Sequence, residues 1–348
     1  MDSQGQGMNI LIVKLSAIGD VVHTLPSLAA LRKHFPDAHI SWAVEEAAAD
    51  LICGHPHLDR VLVSGRKTWL RRVADGQIAV PLRESVRFLR ELRDRPYDLV
   101  IDFHGLFKSS VIVFLSGGRR RLGYDSMQEM SGLFLNEKIP EDMTKHAVDR
   151  YLDFVAYLGG RTDEKEFLIP VGEENRKRID LLLKRAGIRP GGDFVAVSPE
   201  ALWPTKLWDA GRFAALCDRI RGGLRLPVIL TGADRGAVLP IRERMKETYA
   251  DLAGRTTLRD LAELYRRARV VVTTDSGPMH IAAAVGTKVV ALFGPTDPAR
   301  TGPYGKGHRV IQRSLECSPC FSRRCDHKTC MGGISVEEVF AAIQGALS

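Results

Sequence analysis

The chain has 348 residues, 45% of them hydrophobic and 26% charged, with a formal net charge of +8. That length is large for one core, so two domains are expected, and the ordinary composition argues against disorder or a fibre. No apolar run approaches the roughly 18 residues that cross a bilayer. Met1 to Gly7 lacks the basic flank and apolar centre of a secretion signal, so a soluble, cytoplasmic protein with a short frayed extension before Met8 is expected. The positive charge is uneven. Between Arg60 and Arg95 stand ten basic residues against four acidic ones, and Arg119, Arg120 and Arg121 follow. Such a surface suits nucleic acid, an anionic membrane face or an acidic glycolipid. A solvated Arg-rich helix explains it equally well.

The first element is the apolar run from Ile10 to Leu15, the pattern of a parallel strand buried on both faces. A turn follows in which Gly19 can adopt angles closed to other residues. Asp20 stands where an N-cap belongs, ahead of apolar residues at 21, 22, 25, 28 and 29. His39 to Glu45 reads as a second strand. Its closing acidic pair sits where a dinucleotide-binding unit would hold ribose, yet the first turn has one glycine where Gly-x-Gly-x-x-Gly is needed, so that reading fails. An amphipathic helix is expected over 81–94, then a buried strand over 97–102. That strand opens into a turn carrying His104, Gly105, Lys108 and Ser109. His146 begins a helix that ends near Tyr157.

A hinge is expected within 160–192, closing on the breaker cluster Ile188-Arg-Pro-Gly-Gly-Asp193. Strands then recur at 194–198 and 227–232. The clearest unit runs from a helix at 257–268 through strand 270–273, turn 274–277, helix 278–285 and strand 288–293 to the loop Gly294-Pro-Thr-Asp-Pro298. Strand and helix alternate on both sides of the hinge. An α/β protein with two doubly wound domains is therefore predicted, with a cleft between them as the default site.

Three groups stand out chemically. Asp20 is either a helix cap or a catalytic carboxylate at the carboxyl edge of a sheet, where open α/β folds place their chemistry. In Asp275-Ser-Gly-Pro-Met-His280, Pro278 suits a first helical turn, and Ser276 and Gly277 offer amides and a hydroxyl to an anion. A helix start without a ligand is the plainer alternative. Lys206, between Trp203 and Trp208 past a strand end, is placed to meet a diphosphate as a point charge. Walker, Gly-x-Ser-x-Gly and His-Glu-x-x-His motifs are missing from the sequence. Cys317, Cys320, Cys325 and Cys330, with His327 between the last two, have a spacing compatible with tetrahedral zinc or with four reduced thiols.

Taken together, these motifs resemble the lipopolysaccharide heptosyltransferases of glycosyltransferase family 9 along nearly the whole chain from Met8. The resemblance is carried by Ile10-Leu-Ile-Val-Lys-Leu-Ser-Ala-Ile-Gly-Asp-Val-Val-His-Thr-Leu-Pro26, Trp42-Ala-Val-Glu-Glu46, Val100-Ile-Asp-Phe-His-Gly-Leu-Phe-Lys-Ser109 and His146-Ala-Val-Asp-Arg150. Asp275 to His280 and Phe293 to Pro298 add the donor-site motifs. Within the family the pattern is most similar to the heptosyltransferase I group, which adds the first heptose to Kdo, whereas the cysteine-rich tail looks more like the heptosyltransferase II group.

The resemblance implies a GT-B fold with an acceptor-binding domain over 8–172, a nucleotide-sugar domain over 190–333 and a final helix, 334–348, returning to the first domain. It also implies inverting transfer from ADP-heptose to a Kdo-lipid A acceptor, without a cofactor or metal, by a cytoplasmic protein in peripheral contact with the anionic inner membrane. Asp20 would be the base and Lys206 the stabiliser of the leaving diphosphate. Asp275, Ser276, Gly277, Pro278, Met279, His280, Gly294, Pro295 and Thr296 would hold the donor. Ser16, Gly19, His104, Gly105, Lys108, Arg120 and Arg121 would hold the acceptor. A nucleotide-sugar epimerase on the same fold is the nearer rival. A basic nucleic-acid-binding protein is the rival from another class, but the aromatic and basic residues are not interleaved as stacking platforms require, so no nucleic acid is expected.

Overall fold

A computed structural model of the chain describes residues 7–126 and 128–348. It divides into two compact units, Met1–Pro170 and Val171–Ser348. The first is built on six parallel strands: β1 (Asn9–Val13), β2 (His39–Glu45), β3 (Arg60–Ser64), β4 (Leu99–Asp102), β5 (Arg120–Tyr124) and β6 (Glu137–Ile139), in the order β3-β2-β1-β4-β5-β6. The opening run is a central strand because Ile10, Leu11, Ile12 and Val13 lose all contact with solvent between β2 and β4. In register, Val13 lies beside Ala43 and Asp102, so the chain leaves β1, β2 and β4 at one carboxyl edge.

The second unit repeats the plan with β7 (Val195–Ser198), β8 (Val228–Leu230), β9 (Ala250–Asp251), β10 (Val270–Thr274), β11 (Val289–Phe293) and β12 (Arg309–Gln312), all parallel, in the order β12-β11-β10-β7-β8-β9. Two sheets of this kind confirm the expected α/β, doubly wound class.

Three expectations change. The break falls between Pro170 and Val171, and the helix Glu173–Arg185 inside the expected hinge region belongs to the second unit. It is tied there because Asp260 is wholly buried and accepts from Asn175 Nδ2 at 2.8 Å and Arg178 at 3.2 Å. The helix Val336–Leu347, expected to return to the first domain, buries Val339, Phe340, Ile343 and Ala346 in the core of the second unit. The first long helix, Ile18–His34, starts two residues before Asp20, with Ala17 as its N-cap. Gly19 therefore sits within a helical turn rather than in a special backbone conformation. No helix among the described residues is long and apolar enough to cross a membrane.

Candidate active site

In the first unit, the residues after β1, β2 and β4 converge because those strands end level with one another. Asp20, in the first turn of its helix, accepts the Ala17 amide on Oδ2 at 3.0 Å. A carboxylate in this position suits the positive end of the helix. Its Oδ1 lies 3.3 Å from the Tyr151 hydroxyl and 4.0 Å from Lys14 Nζ, and 39% of the side chain stays open to solvent. The carboxylate is thus both capping and accessible.

Beside it, His104 and Gly105 donate their amides to Asp102 Oδ1 at 2.9 and 3.1 Å, and Ser109 donates its hydroxyl to Oδ2 at 3.0 Å. Gly105 takes a φ of +68°, which L side chains adopt rarely, and this lets the loop fold back onto Asp102. Burial pushes the Asp102 carboxyl up, against those three donors. The His104 ring nitrogens meet no partner, and burial, aided by Lys14 and Lys108, pulls the imidazole down to about 3. His104 is therefore a neutral ring at physiological pH. Lys108 donates to Ser16 Oγ at 2.9 Å and stands 3.5 Å from Glu45 at the end of β2.

Glu45 is almost fully buried and also meets Arg66 at 3.1 Å and Lys67 at 2.9 Å. One carboxylate faces three cations, which leaves net positive charge at this edge. Ser16, Asp20, His104, Gly105 and Lys108 thus fall together as expected. Arg120 and Arg121 do not. They begin β5, level with Leu99 and Val100 at the start of β4, and so lie toward the amino edge of the sheet. There Arg120 grips Glu137 at 2.8 and 2.9 Å, and Arg121 donates to the carbonyls of Phe134 and Gly118. Gly19 is buried within its helix, so it shapes the turn rather than offering a contact.

In the second unit, β10 and β11 lie side by side, with Thr274 opposite Leu292, and deliver Asp275 and Gly294 to one carboxyl edge. Lys206 closes a short turn, Pro204–Lys206, after β7. Its Nζ lies 2.6 Å from Asp275 Oδ2 and 4.5 Å from the centre of the Trp203 ring. Thr296 donates to the same oxygen at 2.6 Å. Asp275 is buried, so it acts as the anchor that aims Lys206 and Thr296, a role different from the direct donor contact expected of it. Ser276 caps the eight-residue helix Gly277–Ala284, with Pro278 in its first turn.

Met279 is fully buried and His280 nearly so, which places both beneath the turn. A Cβ on Gly294 would stand 2.7 Å from Met331 Sδ, so close packing demands that glycine. The cysteine-rich segment lies against the same loops. Ser318 donates to the Gly294 carbonyl at 2.9 Å, Phe321 to that of Pro295 at 2.8 Å, and Thr205 to that of Ser322 at 2.8 Å. Cys317, Cys320, Cys325, Cys330 and His327 line one cavity of about 90 Å³. Cys317, Cys320, Cys325 and Cys330 are free thiols, and among the described residues no group of three or more His, Cys, Asp or Glu is arranged to hold a metal ion.

Sequence reasoning missed Lys14, Tyr151, Asp102 and the cation-holding role of Glu45. The signal for Lys14 was its charge inside an otherwise apolar run. Tyr151 gave none, because its partner lies 137 residues away.

Two doubly wound units, one with an open carboxylate and the other with a lysine beside anion-ready turns, have the architecture of the GT-B class of glycosyltransferases. The solved glycosyltransferase family 9 protein of Veillonella parvula superposes with a TM-score of 0.84 at 26% identity, covering 98% of each chain. Escherichia coli heptosyltransferase WaaC, solved with ADP, shares the fold with a TM-score of 0.75 at 23% identity, over 97% of this chain and 100% of that one. Lipopolysaccharide heptosyltransferase 1 of Pseudomonas aeruginosa is 29% identical over 340 residues, which is 92% of this chain and 88% of that protein. The model of glycosyltransferase family 9 (heptosyltransferase) matches residues 85–331, and the chain belongs to that family.

Proposed function

We propose that the chain transfers heptose, with inversion, from ADP-heptose to a Kdo-containing lipid A precursor. The observation that carries this reading is Asp20, a solvent-open carboxylate pinned at the carboxyl edge of a cation-rich unit. The acceptor hydroxyl loses its proton to Asp20, and its oxygen bonds to the anomeric carbon. The bond from that carbon to the diphosphate breaks, and its electron pair leaves on ADP. A carboxylate at a helix start is ionised but weakly basic, which suits a transfer in which the sugar is already oxocarbenium-like and the proton departs late. Lys206 and the amides of Ser276 and Gly277 stabilise the charge that builds on the leaving group.

The acceptor is anionic, and Arg66, Lys67 and Lys108, left in excess around Glu45, match it. Leu70, Val73, Ile78 and Leu82, on and between the helices Arg66–Ala74 and Ala79–Leu92, are exposed as well. Basic and apolar groups in alternation suit a peripheral seat on an anionic membrane.

The test is Asp20→Asn assayed with ADP-heptose and Kdo2-lipid A. General-base catalysis predicts a loss of roughly 10²–10⁴-fold, and a rate within a few-fold of wild type refutes the assignment. The cysteine-rich tail favours a second reading, transfer to the first heptose. Mass spectrometry of products from Kdo2-lipid A and from its heptosylated form decides between them.

A further inference from the structure

We propose that Lys14 and Tyr151 are positioning residues for Asp20: the buried ammonium fixes the direction of the Tyr151 hydroxyl, and that hydroxyl sets the plane of the carboxylate. This rests on the reading of Asp20 as the base. Lys14 follows β1 and is 3% exposed; Tyr151, on the helix Ala147–Tyr157, is 5% exposed. Lys14 Nζ donates to the Phe103 carbonyl at 2.8 Å and to the Tyr151 oxygen at 2.6 Å. A phenol that accepts from an ammonium must aim its own proton elsewhere. Asp20 Oδ1, at 3.3 Å, is the acceptor it meets. The other carboxylate oxygen is held by the Ala17 amide. Both oxygens are thus gripped from the protein side, which fixes the carboxylate plane, while 39% of the side chain stays open to solvent.

A structural filler would not need this charge. An ammonium is costly to bury, and an apolar side chain of similar length would fill the space at lower cost. The nearest carboxylate oxygen of Asp20 stands 4.0 Å away with the phenol bridging the gap, a geometry that orients rather than neutralises. The charged and titratable groups around Asp20 are few. Lys14 follows β1 and Tyr151 comes from the helix. His104, from the loop after β4, stays neutral, and Asp102 acts on Lys14 from behind. His23, on Asp20's own helix, packs edge-on against His146 at 5.2 Å. Arg150 is paired with Glu141 at 2.8 Å. The ammonium, 4.0 Å from Oδ1, attracts the negative charge that Asp20 carries as a base.

The experiment measures kcat and KM against pH for Lys14→Met, Tyr151→Phe and Asp20→Asn in the full chain, with ADP affinity and thermal melting alongside. Lys14→Met is expected to lower kcat about tenfold and to move the acid limb of the profile toward higher pH, because an attractive charge is removed. Tyr151→Phe keeps the ammonium and is expected to lower kcat several-fold with a smaller shift, while donor KM and ADP affinity stay at wild-type values. If Lys14→Met fails to fold, the kcat of Tyr151→Phe decides. Wild-type kcat and an unmoved acid limb in the folded variants, with Asp20→Asn inactive, overturn the positioning role alone. An active Asp20→Asn overturns the base reading and this inference with it.

Discussion

Replacing Lys206 by alanine tests whether Asp275 is an anchor whose charge must be matched. Asp275 Oδ2 receives the ammonium and the Thr296 hydroxyl at 2.6 Å each, and only 5% of the Asp275 side chain is accessible. Removing the ammonium leaves a buried carboxylate with one neutral donor. Breaking a buried pair from one side costs roughly 3–5 kcal/mol, while replacing both partners costs far less. Lys206 keeps 15% of its side chain exposed, so the lower end, about 3 kcal/mol, is the reasonable figure. For a unit of this size each kcal/mol lowers the melting temperature by roughly 2–4 °C, so Lys206→Ala should melt about 6–12 °C below wild type. Lys206→Ala combined with Asp275→Asn should recover most of that loss. ADP affinity, measured calorimetrically, should remain weakened in both, because the cation is gone from each. A single variant melting within 2 °C of wild type, or a double variant no more stable than the single, refutes the anchoring argument.

Glu45 gives a pH test. Burial alone would raise its carboxyl, but Lys67, Lys108 and Arg66 overcome this and hold it below its ordinary value. A depressed folded pKa stabilises at pH above the unfolded value and is lost as pH falls through the folded one. Glu45→Gln should therefore melt a few degrees lower at pH 7 and converge on wild type as pH falls below the ordinary carboxylate range, with solvent screening of Lys67 and Arg66 limiting the effect to about 1 kcal/mol. Thiol labelling followed by mass spectrometry should find Cys317 and Cys320 in the fast phase. Cys217 should be silent until unfolding, since burial pushes its thiol up to about 12. Protection of the exposed pair that a chelator relieves would instead reveal a bound metal. Co-sedimentation with anionic vesicles should exceed that with zwitterionic ones and weaken as salt rises; salt-independent binding would remove the electrostatic part of the membrane proposal.

The features legible in the sequence were those written locally. The apolar stretch at 10–15 and the alternation of strand with helix announced two parallel sheets, because a strand buried on both faces has few other compositions. Asp20, Lys206 and the turns at 275–277 and 294–296 were found because each lies within about ten residues past a strand end. What stayed hidden depends on pairings across long separations. Asp275 was taken as a donor contact, but its partners Lys206 and Thr296 make it an anchor. Gly294 was expected to hold the donor, but the space a side chain would take there is filled by Met331. Arg120 and Arg121 looked available, yet which edge of a sheet a residue occupies depends on strand register, which spacing along the chain does not reveal.

The burial of Val339, Phe340 and Ile343 in the core of the second unit bears on how the chain is made. All six strands of the first sheet lie before Pro170, so that unit has its complete hydrophobic inventory once the ribosome has passed it. The second unit does not, because β7 and β10 share a core with the helix Val336–Leu347, which follows all six strands of that sheet. Its strands must wait, partly uncovered, for Val336–Leu347 to emerge. Biogenesis is therefore vectorial. A chain cut short before that helix leaves a finished amino-terminal unit tethered to an unfinished one.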